Sequence, residues 1–206
     1  MEYRYRARES LVPVGVLALQ GSFREHAECL VRLGVQPVLV RRPGQLMDVG
    51  GLIIPGGEST TIRRLLDRYG FVAPIRRLAK SGMPVYGSCA GMILVARELV
   101  DGDEPPLRLI DIRVKRNAFG RQLESFETAL EIPCLGRRPF PGVFIRAPWI
   151  EHTGGEVSVL AQLPTGTVVA AEQNNQLVSA FHPELTPDTR FHEYFLREVT
   201  RFVARR

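Results

Sequence analysis

Short apolar runs alternate along the first half of the chain with longer stretches whose apolar positions recur at helical spacing. "VGVLAL", Val14 to Leu19, reads as a buried strand, and "SFREHAECLVRLG", Ser22 to Gly34, as a helix with Ser22 as N-cap and Gly34 as its stop. "QPVLV" and "GGLIIP" are the next strands, the latter ending at the glycine pair of "PGGEST". A helical pattern then runs from Thr60 to Gly82, with a break expected near Gly70 or Pro74. "MPVYG" is a strand and "AGMILVAREL" a helix. Strands alternating with helices of this length predict a parallel sheet covered on both faces.

The pattern changes after Arg108. "LIDIRVKRN", "SFETALEI", "GVFIRAPWI", "VSVLAQL" and "TVVAAEQ" are short, β-rich and divided by Gly/Pro turns, which suits antiparallel strands joined to the parallel sheet. "QLVSAF" adds one more strand and "TRFHEYFLREVTRFVARR" a closing helix. The expected architecture is a single α/β domain: a mixed, mainly parallel sheet flanked by helices, with antiparallel strands in the second half.

The length of 206 residues suits one well-packed domain. Residues 1–11, "MEYRYRARESL", are polar and arginine-bearing with no apolar core, so they read as a flexible extension rather than a targeting peptide, and the domain is placed at 12–206. No apolar run approaches the ~20 residues of a membrane span. The net charge of +5 comes almost entirely from arginines; only Lys80 and Lys115 are lysine. They are scattered among acids, not clustered or interleaved with aromatics, which argues against nucleic acid. Cys29, Cys89 and Cys134 are far apart and unpaired by any C-x-x-C spacing, so neither a disulfide framework nor a zinc site is expected, and a cytoplasmic location with reduced thiols is.

One of those cysteines stands out. Gly87-Ser88-Cys89-Ala90-Gly91 follows a strand and opens a helix, the sequence form of a nucleophile elbow. The bend strains the backbone, side chains at Gly87 or Gly91 would collide with the flanking elements, and a helix N-terminus favours the reacting thiolate. A thiolate needs a proton carrier. His26 and His192 lie within helical patterns and His152 in a Gly-rich loop, where surface or internally satisfied roles are expected. His182 follows the strand "QLVSAF" directly, and Glu184, two residues on, can accept its other ring N–H and hold the tautomer. Acyl chemistry also requires donors for an oxyanion, and the backbone amides of Gly57 and of Ala90 are the candidates. The phosphate-loop alternative lacks its lysine signature.

These segments, "GVLALQGSFREH", "PGGEST", "GSCAGMIL", "RNAFGRQLESFE", "FIRAP" and "SAFHPELTPDTRFHEYF", resemble the glutaminase subunits of pyridoxal 5′-phosphate synthase, a branch of the class I glutamine amidotransferases, from about Val14 to Val203. The resemblance implies hydrolysis of L-glutamine by Cys89, His182 and Glu184, without metal or organic cofactor. Ammonia would pass to a synthase subunit in a hetero-oligomer, a dodecamer of synthase subunits decorated by glutaminase subunits. It implies substrate contacts from Gly57, Glu58, Ser59, Arg116, Ile145 and Arg146. Glu58 and an arginine would match the α-ammonium and α-carboxylate of glutamine. Gln20 is expected at the partner interface, and the oxyanion peptide is expected to rearrange on docking. One departure is Asn174, where the family often has glycine; asparagine tolerates left-handed angles, so the turn should survive.

Three other functions fit parts of the sequence. A glutaminase serving another synthase, such as that of histidine biosynthesis, would share the triad and differ at "RNAFGRQ" and "PGGEST". A non-catalytic binding module would not need His182 and Glu184 at one sheet edge. A cysteine peptidase would have less use for the amino-acid clamp.

Overall fold

The computed structural model describes residues 12–116 and 125–205. The extension expected over residues 1–11 and most of the "RNAFGRQ" segment lie outside the described residues.

Four runs with no exposed face form the middle of the sheet: β1 (Val14–Leu17), β3 (Leu52–Ile54), β4 (Val85–Ser88) and β12 (Gln176–Ser179) are buried at every position. That is the pattern of strands covered on both sides. With β2 (Pro37–Val40) at the edge, they run parallel in the order β2-β1-β3-β4-β12. The sheet continues antiparallel through β11 (Val168–Gln173), β9 (Trp149–Thr153) and β6 (Ile110–Lys115), and β5 (Ala96–Leu99) pairs parallel to β6. β10 (Ser158–Gln162) pairs with β11, while β7 (Ser125–Leu130) and β8 (Phe140–Ile145) form a separate hairpin, stacked by Phe126 on Phe144.

Strand alternation decides which helix covers which face. Tyr86 packs against His26 of α1 (Phe23–Arg32) and Phe191 and Phe195 of α5 (Arg190–Val203). Its neighbour Gly87 faces α4 (Ala90–Val95) on the opposite side. The long helical pattern after Ser59 divides into α2 (Ser59–Arg68) and α3 (Val72–Lys80) at Gly70, whose φ is +70°; Pro74 sits within the first turn of α3. Asn174 adopts φ +53°, so the turn survives without glycine.

Three sequence expectations are corrected. "AGMILVAREL" is not one helix: α4 stops at Val95 because the backbone N–H groups of Leu107 and Leu109 take the carbonyls of Leu94 and Val95, and Ala96 enters the sheet as β5. "GVFIRAPWI" is not one strand: Arg146 at φ +43° turns the chain between β8 and β9. His152 lies in β9 rather than in a loop. Among the described residues no helix is long and apolar enough to cross a membrane.

Candidate active site

Strand β4 ends at Ser88, and the chain reverses at Cys89 with φ 47° and ψ −103°, a strained conformation for a residue with a side chain. The bend holds because the Cys89 N–H reaches the Ser179 carbonyl at 2.7 Å and because the positions two residues to either side, Gly87 and Gly91, lack side chains. A Cβ on Gly87 would stand 2.6 Å from the Gly91 carbonyl carbon, and one on Gly91 2.0 Å from the Ile54 carbonyl oxygen. The thiol is buried against the wall of a cleft, 4.0 Å from the Ile145 carbonyl.

His182 arrives from the parallel neighbour β12, through Phe181, and its backbone N–H is fastened to the Val143 carbonyl of β8 at 2.8 Å. Its Nδ1 lies 2.7 Å from Glu184 Oε1, which leaves Nε2 for Cys89. Burial opposes a charged His182, but hydrogen bonds to Cys89 and Glu184, with the charges of both, raise its pKa to about 10. Glu184 is buried in a short 3₁₀ helix, Pro183–Leu185. Burial alone would raise its pKa. The His26 ring, the His182 hydrogen bond and charge, and the Ser22 hydroxyl lower it to about 2. Because burial also holds His26 below its usual value, His26 is neutral at pH 7, and we assign the lowering there to His182 and Ser22.

Ser22 is therefore not the side-chain cap expected of it. It makes no cap hydrogen bond to α1; its Oγ donates to Glu184 Oε1 at 2.7 Å. Its backbone N–H donates to the Gly56 carbonyl at 3.0 Å. In a trans peptide that turns the Gly57 N–H to the opposite side. Gly21, at φ +98°, allows the approach: a Cβ there would be 1.9 Å from the Gly56 oxygen. Gln20 Oε1 accepts the Glu58 N–H at 2.9 Å, so this side chain lies on the glycine turn itself.

The cleft, about 630 Å³, is lined by Gln20, Gly57, Glu58, Ser59, Cys89, Ala90, Arg116, Ile145, Arg146 and His182, among others. Every site residue expected from sequence lines it except Glu184, which sits behind His182. A second hollow of about 540 Å³, bordered by Arg76, Lys80 and Arg108, contains neither cysteine nor histidine. Two members of the expected clamp carry other duties. Glu58 is the side-chain N-cap of α2, accepting from the N–H groups of Thr60 and Thr61 and from the Thr61 hydroxyl; the Thr61 hydroxyl is the largest cause of a pKa lowered to about 2. Arg116 pairs with Asp101 at 2.5 Å and Asp103 at 2.9 Å. Arg146 makes no ion pair among the described residues. Among the described residues no group of three or more His, Cys, Asp or Glu could hold a metal ion.

Sequence reasoning left His26, His192 and Ser88 outside the site. His26 and His192 are fully buried and lie 2.9 Å apart, and His26 Nε2 is 2.9 Å from Ser88 Oγ. The signal was periodicity: His26 shares the buried stripe of α1 with Cys29 and Leu30, and His192 that of α5 with Phe195, Leu196 and Val199.

A thiol elbow, an imidazole and a carboxylate gathered at one edge of a mixed α/β sheet are an arrangement suited to thiol-based amide hydrolysis, and the likeness to known proteins gives the class as the glutamine amidotransferases. The crystal structure of a glutamine amidotransferase superposes with a TM-score of 0.86 at 48% identity, covering 91% of this chain and 98% of that one. The chain belongs to the SNO glutamine amidotransferase family, which matches residues 16–201. Similar curated proteins are named pyridoxal 5′-phosphate synthase subunit PdxT. The Dehalococcoides mccartyi protein is 54% identical over 194 residues, 93% of this chain and 99% of the relative. That of Pelotomaculum thermopropionicum is 55% identical over 188 residues, 91% and 95%. A GMP synthase component from Thermoplasma acidophilum, 15% identical with a TM-score of 0.69, covering 96% of this chain and 98% of that one, shares the fold.

Proposed function

We propose that this chain is the glutaminase subunit of a pyridoxal 5′-phosphate synthase, hydrolysing L-glutamine to L-glutamate and ammonia and handing the ammonia to a synthase subunit. The observation that carries the reading is the line Cys89–His182–Glu184, whose thiol and imidazole face the cleft while the carboxylate sits behind the imidazole. The PdxT relatives give the destination of the ammonia.

Glutamine enters with its ammonium near Glu58 and the Ile145 carbonyl and its carboxylate toward Arg146, with Arg116 and Ser59 at the same rim. The Cys89 thiolate attacks the side-chain amide carbon, and the N–H groups of Gly57 and Ala90 receive the oxyanion. His182, held as an imidazolium beside Glu184, gives its proton to the leaving nitrogen; the C–N bond breaks, ammonia departs and a thioester remains. Neutral His182 then takes a proton from water, hydroxide adds to the thioester, and the C–S bond breaks to return the thiolate. Glu184 stays ionised and holds Nδ1 throughout. Gln20, on the glycine turn, is the group through which docking would reach the oxyanion peptide. The assembly we infer is cytoplasmic and contains twelve copies of each subunit.

The test is ammonia release from L-glutamine by the chain alone and mixed with a pyridoxal phosphate synthase subunit. Release that rises in the mixture and vanishes in Cys89→Ala is expected. Silence in both, or an active Cys89→Ala, overturns the reading.

A further inference from the structure

His26 is fully buried on the core face of α1, and the mechanism above gives it no task. Its ring nevertheless reaches the site from behind, at Ser88 and Glu184. Nε2 lies 2.9 Å from Ser88 Oγ and 3.4 Å from Glu184 Oε2, and Nδ1 lies 2.9 Å from His192 Nε2. Ser88 Oγ in turn accepts the Gly56 N–H at 3.0 Å. Ser88 adjoins Cys89, and Gly56 adjoins Gly57. One imidazole thus meets the elbow and the triad carboxylate directly, and the glycine turn through Ser88.

The partners decide its tautomer. If Nδ1 carried the proton, a bare Nε2 lone pair would face an ionised, buried carboxylate at 3.4 Å. His192 would then hold an N–H at Nδ1, an atom with no hydrogen-bond partner among the described residues. That arrangement would satisfy the Ser88 hydroxyl proton, but in a buried site the charged group outweighs it. With the proton on Nε2, the N–H donates to Ser88 and turns its positive end toward Glu184 Oε2, which has no hydrogen-bond partner of its own among the described residues. His192 Nε2–H then donates to His26 Nδ1, so the unpaired ring atom of His192 is an acceptor rather than a buried N–H.

We propose that His26, as the neutral Nε2–H tautomer, is a positioning residue for glutamine hydrolysis: it holds Ser88, through Ser88 the Gly56 amide, and Glu184, in one register. This rests on the glutaminase reading. Ring burial is consistent with neutrality, since desolvation holds His26 below its ordinary pKa.

Three variants separate the atoms. His26→Gln can return an N–H where Nε2 stood, His26→Asn reaches only the Nδ1 side, and His26→Phe keeps the ring without nitrogen. Glutamine hydrolysis is measured with the synthase subunit present, as kcat per site titrated by a glutamine-like alkylator, so that misfolded protein is not counted. Displacements near 1 Å cost on the order of 100-fold, so His26→Asn and His26→Phe should lose at least about 10-fold in kcat with a smaller change in KM, and His26→Gln should recover most of it. A merely structural residue would lower the number of titratable sites and leave kcat per site unchanged. Nitrogen-15 spectra of the histidine rings in the parent protein read the tautomer without turnover. Equal kcat per site in parent and His26→Asn, no advantage of Gln over Asn, or a proton on His26 Nδ1 would overturn the proposal. A parent that releases no ammonia with its synthase overturns the glutaminase reading, and the positioning role with it.

Discussion

Gly91→Ala puts the elbow's geometry to a quantitative test. The added Cβ would lie 2.0 Å from the Ile54 carbonyl oxygen, a backbone atom of β3 that cannot rotate away. A carbon and a carbonyl oxygen settle at about 3.3 Å, so α4 must withdraw from β3 by roughly 1.3 Å. Overpacking of this kind costs about 3 kcal/mol at the upper end of the usual range. Alanine returns about 1 kcal/mol of helix propensity, leaving a loss of about 2 kcal/mol. With a urea slope of about 2 kcal/mol per molar, the unfolding midpoint should fall by about 1 M. Because Cys89 rides on the N-terminus of α4, the same shift should lower kcat for glutamine by about 100-fold. Gly44→Ala is the control: a Cβ there meets nothing within 4 Å, and neither quantity should change. A Gly91→Ala protein with the parent's midpoint and kcat would refute the close approach of α4 to β3.

Ser22→Ala removes a hydrogen bond to the ionised Glu184, worth about 1.5–3 kcal/mol, and should lower the urea midpoint accordingly at neutral pH. The Glu184 pKa of about 2 lies below its ordinary value of 4.5, so this stabilisation is complete above 4.5 and fades as pH falls toward 2. The gap between parent and variant, followed by urea unfolding, should narrow from pH 7 to pH 3; a constant gap would contradict the assignment. His182 has the opposite sign: raised from 6.5 to about 10, it contributes stability below 6.5 that is lost as pH rises through about 10. Cys89→Ala removes one of its partners and should flatten that alkaline loss in thermal melts. Glu58→Ala deletes the α2 cap and should cost about 1 kcal/mol in urea unfolding, whatever it does to KM. His182→Asn removes both the proton donor for the leaving nitrogen and the base for water, so ammonia release should fall by at least about 100-fold; a variant that keeps the parent's rate would remove His182 from the mechanism.

Much of the fold was legible because the central strands are buried on both faces and so carry short runs dominated by apolar residues, with polar residues only at the ends of β4 and β12. Gly70 and Gly34 end their helices at positive φ, a local property of glycine that sequence reports directly. Periodicity failed where distant backbone intervened. Nothing within "AGMILVAREL" announces that Leu107 and Leu109 will claim the carbonyls of Leu94 and Val95. Nor does "GVFIRAPWI" show that Arg146 must leave the β region to turn into β9.

The chain's own order brought Cys89 between two glycines and set His182 and Glu184 two residues apart, because an elbow and a bonded imidazole–carboxylate pair are local constructions. Only the folded structure brought Ser22 to Glu184 and His26 to Ser88, Glu184 and His192, and occupied Glu58 as a helix cap and Arg116 as an ion-pair partner. Except for the local Glu58 cap, these contacts join segments distant in sequence. Their partners are chosen by sheet order and helix packing, which place unrelated segments in one low-dielectric interior where each polar group must find a partner.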